Sequence, residues 1–168
     1  QDSSMADYDS EIANGASVNT FTVAASEATL TFSKASGLST VLINGENRLY
    51  GFNATASGGN AYLNQVAFTV DSSEGLSLSN FKLYRGSTLL ESDKVQISHN
   101  GNQVIATFHD PGLPEVITNG ASQVYYLDAE VNQAITDSFV STNLLESEIA
   151  ADALQSGFPT ESHKLTYH

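Results

Sequence analysis

The side chains best able to carry acid–base or metal chemistry near neutral pH are four histidines, His99, His109, His163 and His168. None stands in an H-x-x-x-H or H-E-x-x-H spacing. His99 and His109 end two short alternating runs, and Asp110 follows directly, so a hairpin would bring the three near one another. Solvated strand ends explain them more simply than metal ligation. A G-x-S-x-G elbow, a P-loop and a G-x-G-x-x-G run are all absent. Nineteen acidic residues make chance carboxylate pairs common, so glycoside chemistry is not legible from their number. Asp7, Asp9 and Glu11 alternate like oxygen ligands for calcium. An EF-type loop counted from Asp7 needs Gly and Glu where Ile12 and Val18 stand. Asp71, Glu74 and Asp137 are loop acids with nothing but charge to recommend them. The expectation is a chain with no catalytic residue, no metal and no cofactor, and so not an enzyme.

Two further side-chain classes bear on binding. Asn53-Ala54-Thr55 is an N-x-[ST] sequon, and Asn53 has the parity opposite to Phe52 and Ala54, so it should face outward as a glycosylation candidate. Tyr62, Tyr84 and Tyr126 also stand opposite in parity to the apolar set of their runs. Outward tyrosines can stack sugars, although the chain has no Trp and isolated surface aromatics are common.

Charge narrows the partners. Six basic residues face nineteen acidic ones, for a formal charge of −13. Such a surface repels phosphate backbones and offers anionic lipid no basic patch, so nucleic acid is disfavoured. No run approaches the ~20 apolar residues of a membrane helix. Cysteine is absent, so stability must come from the core and from partners. The 168 residues, 40% hydrophobic, suffice for one cored domain with extensions. The chain opens at Gln1 without a charged-then-apolar leader, which predicts a processed mature chain or an excised fragment.

The elements that would position these groups are strands. Around Arg48 to Arg85, three runs alternate apolar and polar residues: Tyr50, Phe52, Ala54 and Ala56, then Val66, Phe68 and Val70, then Phe81 and Leu83. Ala61 and Leu63 carry the other parity, so the register changes at Asn64-Gln65, as a β-bulge would make it do. Leu30 and Phe32 open the domain, and Asn44-Gly45 marks a turn. Val95 and Ile97, then Asn100-Gly101, then Val104, Ala106 and Phe108 spell a hairpin. Residues 110–119 hold two of the three prolines and cannot lie inside a sheet. Tyr125, Leu127, Ala129 and Val131 share one face, and Phe139 and Leu145 are read as inward on a later strand. Residues 147–156 fit a short helix or a tail. About eight or nine short strands without a long amphipathic helix predict an all-β antiparallel β-sandwich, Ig-like or jelly-roll-like, with an extended N-terminal arm.

The arm carries a strand without an evident place. Residues 17–25 (SVNTFTVAA) alternate like a strand yet precede the domain's own first strand. An edge strand of the same sandwich is the ordinary explanation. The other is donation to a neighbouring subunit, with Val18, Phe21, Val23 and Ala25 as contact residues. The expected organisation is an arm over 1–26, with the donor strand at 17–25, a sandwich over 27–150, and a tail or final short strand over 151–168.

Three phrases carry a family resemblance: LYGFNATA, AYLNQVAFTVDSSEGLSLSNFKLYRGSTLL, and VITNGASQVYYLDAEVNQAITDSFVST. In this order they resemble β-sandwich modules of large bacterial cell-surface proteins and of pilus-like filament subunits, over about Ala28 to Val140. The resemblance implies an extracellular or cell-surface location and a structural role, and it carries over no functional residues. The expectation is a non-catalytic subunit of a prokaryotic surface filament, a homo-polymer built by β-strand addition. The alternatives are an adhesive or spacer module of a larger surface protein and a carbohydrate-binding module that meets surface glycans.

Overall fold

A computed structural model describes residues 27–108 and 115–168. Its strands, in chain order, are β1 (Thr29–Lys34), β2 (Val41–Leu42), β3 (Gly45–Ser57), β4 (Ala61–Ser72), β5 (Ser77–Arg85), β6 (Thr88–Leu90), β7 (Val95–Asn100), β8 (Gln103–Phe108), β9 (Glu115–Ile117), β10 (Ser122–Asn132), β11 (Phe139–Leu144), β12 (Ala150–Asp152), β13 (Leu154–Ser156) and β14 (His163–Tyr167). They form two sheets. The first runs β13-β1-β3-β10-β5-β6 and the second β2-β14-β11-β4-β8-β7, with β9 and β12 flanking the first half of β4. All pairs are antiparallel except β1 with β13 and β14 with β2.

Alternation explains why these segments are strands and which side faces in. Leu30, Phe32, Phe52, Ala54, Phe68, Leu83, Tyr125 and Leu127 point between the sheets and are almost wholly buried. Their rings interlock: Phe52 stacks on Tyr125 at 5.4 Å and meets Phe68 at 6.1 Å. Such contacts add to the ~25 cal/mol per Å² of apolar burial that drives the two layers together. The parity change at Asn64 is a true bulge, because successive Ala150 and Ala151 face Gln65 and Leu63 and leave Asn64 unmatched. The hairpin turns at Gly101, whose φ is +64°.

Two bulges escaped the alternation pattern. Leu127 and Asp128 are consecutive on β10 yet face Tyr50 and Arg48, so Leu49 is an extra residue on β3. The buried parity therefore switches from Asn47 and Leu49 to Tyr50 and Phe52. On β5, Asp128 and Glu130 face Lys82 and Ser79, and the extra residue is accommodated at Asn80 with φ +52°.

One inward assignment is corrected. On β11 the buried residues are Val140, Thr142 and Leu144, so Phe139 and Leu145 have the other parity. Lys164 lies over the Phe139 ring at 4.9 Å, which shields an aromatic on the outer face. Residues 146–156 form a 3-10 turn at Glu146–Glu148 followed by β12 and β13. Residues 151–168, read as a tail or a last short strand, carry β13 beside β1 and β14 between β11 and β2. Phe158, in the loop between them, stacks on Phe32 at 4.6 Å.

Candidate functional site: an open sheet edge and its cleft

The two sheets end together on one side, where β6 closes the first and β7 the second. β6 is only three residues long, so the first sheet stops short of the full length of β7. Between them lies an open cleft of about 620 Å³ whose apolar lining is Phe81, Leu89, Leu90, Val95 and Ile97. Leu89 is 38% exposed, while Leu90 and Val95 are buried at its floor. Among the described residues β7 pairs with β8 alone.

Local geometry fixes which atoms this edge offers. Asn100 and Gln103 close a two-residue hairpin, so Asn100, Ser98 and Gln96 exchange hydrogen bonds with β8. The alternate residues Ile97 and His99 turn their N–H and C=O away from β8, and Val95 N–H is already bonded to the Glu91 carbonyl at 3.0 Å. The side chains of Val95, Ile97 and His99 point toward the cleft side, where the His99 ring packs on Phe81 at 4.6 Å. Proteins ordinarily blunt such an edge with Lys, Pro or a bulge. Between Val95 and Asn100 there is neither Lys nor Pro, and the register with β8 is unbroken.

The outer face of the first sheet is built differently. The bulge at Leu49 turns Arg48 outward, where its Nε donates to Asp128 Oδ1 at 2.8 Å. The guanidinium covers the Tyr126 ring at 4.0 Å and reaches Tyr84 at 5.1 Å. Tyr126 stands directly opposite Gly51 and lies over its bare Cα. Burial pushes the Asp128 carboxyl above its ordinary range, and the Arg48 hydrogen bond pulls it partly back. Lys82 binds Glu46, which raises its pKa, and Asn80 donates to Glu130 at 2.7 Å. The expected outward tyrosines are thus present, but Arg48 occupies the ring face of Tyr126 that a sugar would need.

A second polar cluster bridges the sheets at one end. Arg85 on β5 makes a two-pronged ion pair with Glu115 on β9, and the Tyr125 hydroxyl donates to Glu115 Oε1 at 2.9 Å. The Glu115 hydrogen bond raises the Arg85 pKa, and burial, followed by the Glu115 charge, pushes that of Tyr125 well up. The cluster has every member paired and reads as a clamp between layers. The expectation that residues 110–119 lie outside any sheet is corrected here: Glu115–Ile117, just past the second proline, form β9 and pair with Ala61–Leu63 of β4, and only that three-dimensional pairing brings Glu115 to Arg85.

The remaining sequence candidates are placed as follows. Val18, Phe21, Val23 and Ala25 lie outside the described residues, as do His109 and Asp110. Asn53 faces outward from the middle of β3 and is half-buried between Ser33 and Val124. His163 is buried and shares a 2.7 Å hydrogen bond with the Ser39 carbonyl. Asp71 Oδ1 accepts from Asn102 at 3.3 Å. Among the described residues no three His, Asp or Glu side chains converge as a metal site would require. No helix in them is long and apolar enough to cross a membrane.

No family model and no curated protein matches the chain. Solved structures with a similar fold include CaCohA2 from Clostridium acetobutylicum, 12% identical with a TM-score of 0.47 over 84% of this chain and 92% of that one. They also include the pilus protein RrgB from Streptococcus pneumoniae, 14% identical with a TM-score of 0.40 over 77% of this chain and 23% of that one. A third is the N-terminal domain of the Streptococcus gordonii adhesin Sgo0707, 12% identical with a TM-score of 0.36 over 84% and 32%. Each of these likenesses is one of fold alone.

Proposed function

We propose that this chain is a non-catalytic extracellular structural subunit of a prokaryotic surface filament, assembled by β-strand addition between identical subunits. One observation carries the reading: among the described residues a six-residue strand edge stands unpaired beside an apolar cleft, whereas the other end of the same sheet is the two-residue β2. An edge of this kind is a template for another strand, and filling it would satisfy the Ile97 and His99 backbone groups while covering Leu89. Its partner of choice is an extended, uncharged segment with apolar residues at every second position, as in 17–25.

The test is electron microscopy and sedimentation of the purified chain beside a variant lacking residues 17–25. The reading expects concentration-dependent filaments from the first and monodisperse subunits from the second. Monodisperse particles from both would refute polymerisation and favour a spacer or adhesive module. Saturable sugar binding, lost on changing Tyr62 or Tyr84, would instead favour the carbohydrate-binding alternative.

A further inference from the structure

The chain joins its sandwich on the side away from the open cleft. Glu27 leads directly into β1, and the Ala28 carbonyl accepts from Leu154 N–H at 2.9 Å, so the arm is rooted between β1 and β13. That is one lateral edge of the first sheet, and the cleft lies beyond β6 at the other. From β1 to β6 there are four strand spacings, β1-β3-β10-β5-β6, or about 19 Å. Only Ser26 separates Ala25 from Glu27, and two residue steps of extended chain reach about 7 Å. Even Phe21, six residues from Glu27, could span the distance only along a straight line through the core.

We infer that residues 17–25 fill the β6–β7 cleft of a second copy of this chain and cannot fill their own, making each contact head-to-tail and open-ended. The inference rests on the strand-addition reading above and names its acceptor, its donor and its direction. Phe21, Val23 and Ala25 are the donor's odd-numbered set and enter the cleft over Leu90, Val95 and Ile97, while Thr20, Thr22 and Ala24 face outward. The donor backbone hydrogen-bonds to Ile97 and His99. Because donor and acceptor are different surfaces on opposite edges, every added subunit carries a fresh open cleft, and a contact of that kind generates a fibre when the rotation does not close. The segment carries no charge, so it enters the cleft of a strongly acidic neighbour without a like-charge cost.

Among the described residues the sheet ends on the arm's side are β2, two residues long, and β13, beside the arm's root. β13 is three residues long against the six of β7, and the apolar cleft adjoins β7.

The absence of cysteine makes disulfide trapping clean. Directly opposed residues in a strand pair have Cα atoms about 4.5–5.5 Å apart, within disulfide range. Val23→Cys is combined in turn with Val95→Cys, Ile97→Cys and His99→Cys, which covers the registers that keep Val23 facing in. Ser98→Cys is the control of opposite parity, and Val23→Cys with Gln155→Cys reports folding back onto β13. Each full-length variant is imaged, then oxidised and run on a denaturing gel with and without reductant. A reducible ladder of multimers from at least one β7 pair, and none from Ser98→Cys, is the expected result. Filaments with no β7 cross-link would overturn this acceptor while leaving strand addition standing. A cross-linked monomer from the Gln155 pair would overturn donation in trans. Absence of both filaments and cross-links would remove the strand-addition reading and this inference with it.

Discussion

Replacing Gly51 by Ala tests whether the outer face of the first sheet is held by an aromatic laid over a glycine. Gly51 is buried in the middle of β3, outside the set of left-handed positions, so space limits this site more than backbone conformation. A Cβ there would stand 2.6 Å and 2.8 Å from Tyr126 Cδ1 and Cε1, and 3.0 Å from the Ala35 Cβ. Carbon contacts are comfortable at about 3.5–4.0 Å, so the ring must retreat by roughly 1 Å. Its other side is held by Arg48, whose guanidinium is 4.0 Å from the ring centre and is itself tied to Asp128. Overpacking of this kind costs about 1–3 kcal/mol. Removing a mid-strand glycine returns about 0.5–1 kcal/mol. The expected net loss is about 1–2 kcal/mol, or roughly 2–8 °C in Tm for a domain of this size. The assay is urea unfolding of Gly51→Ala, Tyr126→Ala and the double variant. Because the new methyl fills the space the ring vacates, the double variant should cost less than the sum of the singles. A neutral or stabilising Gly51→Ala, or strict additivity in the cycle, would refute the packing argument.

Other predictions follow from the same structure. The Tyr50 hydroxyl is buried and has no hydrogen-bond partner among the described residues, so Tyr50→Phe should raise stability by about 1 kcal/mol in the same urea assay. Burial pushes the Tyr50 pKa from 10.0 up to about 12, so the unfolded chain loses its proton first as pH rises. The Tyr50 share of stability should therefore be intact below pH ~10 and fall by the order of 2–3 kcal/mol toward pH ~12, adding to a loss from Tyr125, whose pKa burial also raises, so the fall is shallower in Tyr50→Phe. Phe158→Ala removes a ring stacked on Phe32 and should cost about 3 kcal/mol, read as a lowered Tm, because it releases the loop that carries the chain from β13 to β14. On the strand-addition proposal, assembly should quicken with added salt, read by light scattering, because chains of charge −13 repel at low ionic strength.

The proposed strand-addition site is half legible in sequence. A donor-like segment is visible in sequence because alternation over residues 17–25 needs no knowledge of partners. The cleft proposed as its acceptor is not, because Phe81, Leu89 and Ile97 look like ordinary strand residues until the sheets are stacked. The outward tyrosines were readable from parity. Arg48 over Tyr126 was not, since it depends on the extra residue at Leu49.

Sequence by itself determined the fold class, the hairpin at Gly101, the bulge at Asn64 and the inward set of β10, all from the direction in which successive Cβ atoms point along a strand. That direction is local, so two residues per repeat suffice to read it. Tertiary structure alone decided that β13 joins β1 in parallel, that β14 enters between β11 and β2, and that Glu115 reaches Arg85. It also decided that Glu27, where the described residues begin, and the open cleft stand on opposite sides of the sandwich. Strand order is set by contacts between residues more than a hundred positions apart, such as Thr29 with Leu154, and alternation is the same whichever neighbour a strand finds.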